Sequence, residues 1–287
     1  SKKNFKNTKG QIVFFENYYD LIKSDAINAI YISTLNNSHK ELVIEASKYN
    51  KKILCEKPLG LTFDEVKDMH FYLKGKKNFF FEAIAYRSHP QTKALLEILK
   101  DKEIGQIKKI ESNFGFKVRK IKKDSRLFNK NFGGGSILDL GCYPISFFNL
   151  LSDREEKMKI IKSNFTLCET DVDVDGEIIL DLGKNIEAVG KVSLKENLQN
   201  YCKIYCDNAI VTLQSPWLPT EKNFIEIKMK SRYYKKIITS NEGVYRHQLE
   251  AVSDCFNNKN LNNNYLVDIE ESLEIAKIID LWRKKNH

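Results

Sequence analysis

The chain has 287 residues, 42% of them hydrophobic and 30% charged, with a formal net charge of +9. That is the mix of a globular protein, long enough for two domains rather than one core, and no apolar run approaches the roughly 20 residues that span a bilayer. The polar start Ser1-Lys2-Lys3-Asn4 is unlike a signal peptide. Six cysteines without a Cys-x-x-Cys pair suggest reduced thiols in a cytoplasmic protein and no metal site.

In chain order, strand and helix alternate first. Gln11 to Phe15 reads as a short strand, Tyr18 to Ile22 starts a helix, and Ala29 to Ser33 is an apolar strand. Ser38 can cap the next helix, where Leu42, Val43 and Ala46 share a face. Ile53 to Cys55 is a strand, Thr62 with Glu65 has the form of a capping box, and Asn78 to Ala83 is another strand. This rhythm predicts a parallel sheet with right-handed crossovers. From Tyr86 the pattern changes. His89-Pro90 opens a helix, and the residues from Ile110 to Val118 alternate as a half-buried strand. Gly133-Gly134-Gly135 precedes a helix expected from Ser136 to Leu151, bent at Pro144. Alternating strands follow, among them Tyr201–Cys206 and Ala209–Leu213 joined by an Asp207-Asn208 turn. The last helix starts near Asp268, acidic in its first turn and basic in its last. The expected fold is α/β: a partial Rossmann-type parallel sheet over residues 1–85, then an α+β domain with a large, mostly antiparallel sheet over 86–287.

Three separated pieces carry the chemistry. Ser33-Thr34-Leu35-Asn36-Asn37-Ser38-His39 follows one strand, and Cys55-Glu56-Lys57-Pro58 ends another. Ligands of open α/β sheets bind at the carboxyl ends of strands, so Lys57 would stand at the mouth of the sheet. In the third piece, Gly133 to Pro144, Asp139 and Tyr143 lie four apart, as if on one helix face. A basic run, Lys117, Arg119, Lys120, Lys122, Lys123 and Arg126, is either a solvated loop or a guide for an anionic ligand or cofactor. It lacks the interleaved aromatics of a nucleic-acid surface.

Taken together in this order, the pieces resemble the glucose–fructose oxidoreductase / inositol dehydrogenase family (Gfo/Idh/MocA), in particular its dimeric dihydrodiol dehydrogenase and sugar-dehydrogenase branch. Phe81-Glu82-Ala83, Tyr86-Arg87-Ser88-His89-Pro90, Ile104-Gly105-Gln106-Ile107, Arg126-Leu127-Phe128 and the Ile269–Leu273 helix also match. The resemblance implies an enzyme transferring hydride between NADP or NAD and a sugar, polyol or related small molecule, working as a homodimer or higher oligomer without nucleic acid or membrane. By the same resemblance Lys57, Tyr143 and Asp139 would be catalytic, and Ser33, Thr34, Asn36, His39, Glu56, Lys57, Pro58 and Arg87 would hold the cofactor. Tyr143 would be the acid/base, its pKa lowered by the Lys57 ammonium. Two departures stand out: Leu35 occupies a position where proline is common, and no Gly-x-Gly-x-x-Gly occurs in the chain. Ser1 matches a position just after the second Rossmann strand, so the chain is expected to be an N-terminally incomplete dehydrogenase. The alternative is a truncated, non-catalytic binding or oligomerising protein built on the second domain. Lys2 and Lys3 fall where a 2′-phosphate would favour NADP.

Overall fold

Three short apolar strands pair side by side and in parallel: β1 (Ala29–Ile32), β2 (Lys52–Glu56) and β3 (Phe80–Ala83), in that order. The computed structural model describes residues 12–76, 79–152, 156–257 and 265–284; Lys2 and Lys3 lie outside them. Successive side chains of a strand point to opposite faces, and here both faces are covered. Ile32, Ile53, Cys55 and Phe80 pack with Leu42, Val43, Val66 and Met69. The latter come from α2 (His39–Lys48) and α3 (Phe63–Leu73); α1 (Tyr18–Lys23) adds Ile22. On the other face Leu54, Phe81 and Ala83 meet Ala251, Val252 and Phe256 of α7 (Val244–Phe256).

The second sheet has eight strands. They are β4 (Ile107–Gly115), β5 (Lys159–Leu167), β6 (Asp173–Asp181), β7 (Glu187–Ser193), β8 (Tyr201–Cys206), β9 (Ala209–Gln214), β10 (Lys222–Met229) and β11 (Tyr233–Thr239). Their order is β11-β10-β9-β8-β4-β7-β6-β5, antiparallel throughout except for the parallel pair β4 and β7. Helices cover one face. These are α4 (Pro90–Leu99), α5 (Ser136–Leu140), α6 (Cys142–Leu151) and α8 (Ile269–Lys284). α8 contributes to two hydrophobic cores, with Ile269 in that of the parallel sheet and Ile275, Ile278, Ile279 and Trp282 in that of the large sheet. Its polar face ties the same two regions together, through His70–Glu270 at 2.8 Å, Arg283 Nη1 to Leu61 O at 2.9 Å and Trp282 Nε1 to Asn164 O at 3.2 Å.

Three local expectations are corrected. Residues 12–15 are irregular rather than a strand. Ser38 does not cap α2; its hydroxyl donates back to Leu35 O at 2.8 Å. The helix expected over 136–151 is two helices that break at Gly141, not at Pro144. Pro144 sits in the first turn of α6, where the missing N–H costs nothing. Thr62 does cap α3, accepting from Glu65 N at 3.2 Å.

Candidate active site

The carboxyl end of β2 delivers Glu56, Lys57 and a cis Lys57–Pro58 peptide. Glu56 secures this end: its carboxylate accepts the Tyr31 hydroxyl of β1 and the Lys57 N–H. Just beyond the turn, Leu59 N–H donates to Glu82 Oε1 of β3 at 3.1 Å. Backbone on both sides of Lys57 is therefore fixed by carboxylates from the same sheet.

The facing wall is the α5–α6 pair. Gly135, at φ +119, sits in a region that L side chains rarely adopt, and a Cβ there would lie 2.4 Å from Asp173 Oδ1. That close approach lets the buried Asp173 carboxylate bind the start of α5, accepting from Ile137 N at 2.6 Å and Ser136 Oγ at 2.9 Å. The break at Gly141 then presents Asp139 and Tyr143 from two successive helices. Gly141 keeps an αR backbone between them, and both side chains meet Lys57, as their spacing suggested.

Lys57, Asp139 and Tyr143 come together. Lys57 Nζ donates to Asp139 O at 2.8 Å and to Oδ1 at 3.3 Å, and it lies 4.9 Å from the centre of the Tyr143 ring. Arg126 Nη1 reaches the same Oδ1 at 2.7 Å. Burial opposes ionisation of Asp139, yet Lys57 and Arg126 hold its carboxyl below the usual value. Burial also opposes the Lys57 charge, but Cys142, Tyr143 and Asp139 outweigh it and keep the ammonium well above its usual range. An ammonium has three donors, and two are spent on Asp139. Tyr143 is ringed by Phe114 at 5.2 Å edge-on, Tyr86 at 6.2 Å and Trp217 at 6.3 Å. Burial pushes its hydroxyl above the ordinary tyrosine value, and Lys57 recovers only part of this. The expectation of a lowered pKa is thus corrected. The ammonium lies over the ring while desolvation dominates, so Tyr143 stays protonated through the neutral range.

The other sequence-selected residues divide. Ser33 is exposed and Thr34, Asn36 and Glu56 are half-buried at the β1 and β2 ends. Asn36 Nδ2 donates to Phe132 O at 3.2 Å, tying its loop to the glycine segment. His39 is fully buried, its Nδ1 3.0 Å from Pro58 O and its Nε2 3.3 Å from Thr34 O. Burial holds it below the usual imidazole value, against those carbonyls. It joins two strand-end turns and does not face a ligand. Arg87 is also fully buried, donating to Ser146 O at 2.9 Å and to Glu271 at 2.8 Å and 3.3 Å. An inaccessible guanidinium locked to α8 corrects its expected contact with cofactor or substrate.

Two contributors escaped the sequence reading. Trp217 comes from the β9–β10 connection, and nothing near it in the chain marks it. Glu82 was visible as part of Phe81-Glu82-Ala83, but its burial was not. Burial raises the Glu82 carboxyl from 4.5 to about 7, with the Leu59 N–H pulling the other way. Between those two values the folded chain keeps a proton that the unfolded chain has lost. Stability should therefore fall as pH rises through this window, with the full penalty present above about pH 7. Glu82→Gln, which can still accept from Leu59, should flatten this dependence by up to roughly 3 kcal/mol between about pH 5 and 8. Denaturant melts at both pH values check it, and an unchanged slope in the variant would remove Glu82 as its source.

Two openings flank the centre. One, of about 20 Å³ beside Pro58, Glu82 and Ser272, has room for little more than a water. The other, of about 260 Å³, is bounded by Tyr31, Glu56, Tyr245, Gln248 and Leu249. The hydroxyl, amide and carboxylate groups at the β1 and β2 ends suit the ribose and carboxamide of a nicotinamide nucleotide, and Lys57 lies beside them. The donor set thus fits the nicotinamide end of a dinucleotide.

A profile described as oxidoreductase family, NAD-binding Rossmann fold, matches residues 2–84, and one described as the GFO/IDH/MocA C-terminal domain matches 92–212. The trans-1,2-dihydrobenzene-1,2-diol dehydrogenase of Xenopus tropicalis is 28% identical over 285 residues, covering 97% of this chain and 84% of the relative. The D-xylose 1-dehydrogenase (NADP(+)) 2 of Haloferax volcanii is 24% identical over 268 residues, covering 93% and 80%. KijD10, a 3-ketoreductase from Actinomadura kijaniata solved with NADP and TDP-benzene, shares the fold at TM-score 0.82 and 18% identity, covering 98% of this chain and 85% of its own.

Proposed function

The chain belongs to the Gfo/Idh/MocA oxidoreductase family, and from that premise we propose that Lys57 and Tyr143 handle the proton in its reaction. It is an NAD(P)-dependent oxidoreductase acting on hydroxyl-bearing carbons. The substrate we infer is a sugar, polyol or related diol, as in the relatives. One observation carries the catalytic assignment: the Lys57 ammonium, at the carboxyl end of the parallel sheet, is anchored to Asp139 and lies 4.9 Å from the Tyr143 ring.

When bound, the nicotinamide supplies or accepts the hydride. Ser33, Thr34, Asn36 and Glu56 would hold its ribose end, with Pro58 shaping the turn beneath and His39 positioning that turn. The third donor of Lys57 is directed to the reacting oxygen, polarising a carbonyl or steadying an alkoxide. Asp139 holds the ammonium in place. In the reductive direction Tyr143 gives its hydroxyl proton to the substrate oxygen as hydride reaches carbon, the Lys57 charge steadies the phenolate, and solvent returns the proton. The protonated Tyr143 suits this direction. Residues 1–85 would form the cofactor domain and 86–287 the substrate domain, with the open face of the eight-stranded sheet as the homodimer surface, which sedimentation would read.

The test is direct. NADPH and NADH are mixed with the chain and a panel of aldoses, ketoses, polyols and a dihydrodiol, and nicotinamide absorbance is followed. Substrate-dependent turnover is expected; none with any member, at protein concentrations that bind either nucleotide, would overturn the assignment.

A further inference from the structure

The segment between β4 and the glycine turn begins and ends at the catalytic centre. Phe114, near the end of β4, packs edge-on at 5.2 Å against Tyr143. Twelve positions later, Arg126 binds Asp139 at 2.7 Å, on the oxygen that Lys57 also meets. The chain between them therefore leaves the centre and returns to it as an arch. It is held there by its stem, with Phe116 N to Ser193 O at 3.0 Å, Val118 N to Leu194 O at 2.9 Å and Lys117 N to Asn197 Oδ1 at 2.8 Å. Val118, Ile121 and Leu127 turn inward onto the core of the large sheet.

What this arch turns outward is almost wholly cationic. Lys117, Arg119, Lys120, Lys122, Lys123 and Arg126 are all exposed, and Asp124 is the only acid between residues 117 and 126. Elsewhere some surface lysines pair with carboxylates, as in Lys40–Asp68, Lys100–Glu97, Lys108–Asp207 and Lys235–Glu226, and others, such as Lys67, Lys159 and Lys230, stand singly among the described residues; what marks the arch is the density of its cations. Lys117, Arg119, Lys120, Lys122 and Lys123 form no ion pair with any described residue, while Arg126 is taken by Asp139. Five uncompensated cations beside a recessed site concentrate anions at its entrance. Like charges crowded in a dozen residues repel one another, a cost that an anionic ligand removes.

We propose that the substrate is anionic, a sugar or polyol carrying a phosphate ester, and that the Lys117–Lys123 arch receives the phosphate while Lys57 and Tyr143 meet the reacting oxygen. This rests on the function proposed above and narrows its substrate class. The substrate is favoured over the cofactor as bearer of the charge because the two ends of the arch, Phe114 and Arg126, meet Tyr143 and Asp139 rather than the Ser33–Asn36 turn. A dianion in contact with several ammonium groups also suits a cluster better than a single carboxylate would.

The test pairs glucose 6-phosphate and related sugar phosphates with their neutral parents, using the intact chain and Lys120→Ser/Lys122→Ser/Lys123→Ser. Binding is read by phosphorus NMR and by competition, independently of turnover. The phosphorylated compounds should bind at least about tenfold more tightly than their parents, a preference that shrinks with added salt. The triple variant should bring the ratio of kcat/KM for phosphorylated over neutral compounds close to one. Equal binding of both classes, with turnover on neutral sugars retained, would overturn the anionic substrate and leave the oxidoreductase assignment standing. A variant whose only loss is its NADPH-over-NADH preference would move the charge to the cofactor and also overturn it. So would duplex DNA binding more tightly than any sugar phosphate through the same lysines.

Discussion

Lys57→Met should fold and lose kcat by about 10³-fold, the scale seen when one preorganised donor to a developing oxyanion is removed. The side chain anchors to Asp139 and, in the role proposed for it, reaches with its remaining donor toward the reacting oxygen; methionine fills similar space without either. Removing one member of a buried ion pair often unfolds a protein because the other charge is stranded. Here Asp139 keeps Arg126 at 2.7 Å, so the fold should survive with a loss of about 1–3 kcal/mol. Steady-state kinetics and thermal melts separate the two effects. Turnover within a few-fold of the parent, in a folded variant, would take Lys57 out of the chemistry. Lys57→Arg should not restore the rate, because a planar guanidinium cannot place one N–H where the compact ammonium does.

Tyr143→Phe should cut turnover by about 10²- to 10⁴-fold, the usual contribution of a positioned proton donor, with little change in nucleotide binding. The phenyl ring preserves the contact with Phe114 and the face offered to Lys57, so only the hydroxyl is removed. The direction of the Tyr143 pKa adds a second readout. Because burial holds it above its ordinary value, reductive turnover should show no loss attributable to this group across neutral and mildly alkaline pH. In the oxidative direction, where the hydroxyl must first release its proton, the rate should climb with pH over the same range. A pH–rate profile in both directions checks this, and an alkaline fall in the reductive rate beginning near neutrality would contradict it.

Much of the site could be read from local spacing because each piece follows a strand end. β2 ends where the apolar run Ile53 to Cys55 gives way to Glu56-Lys57-Pro58, and a strand end in a parallel sheet is a site by topology. What the spacing misjudged depends on long-range packing. The run from Ser136 to Leu151 implied one continuous helix, but it divides at Gly141, and the start of its first half is held by Asp173, distant in sequence. Arg87 and His39 carry polar heads that suggested ligands. Their partners, Glu271 and the carbonyls of Thr34 and Pro58, arrive through tertiary contact and consume them. The sign of the Tyr143 shift could not be read locally either. A neighbouring cation is visible in the sequence, whereas the desolvation by Phe114, Tyr86 and Trp217 that outweighs it is not.

The last helix leaves its own consequence. α8 supplies apolar side chains to the cores of both sheets and polar contacts to both, while the proposed catalytic couple joins residues 57 and 143 from opposite sides of that junction. The two halves are therefore not exchangeable cassettes. A recombinant that joins the parallel sheet of one relative to the large sheet of another inherits an α8 matched to only one of them. Its lysine and tyrosine would be intact in sequence and misaligned in space. The helix acts as a tether of common ancestry, requiring residues that share no chemistry to be inherited together.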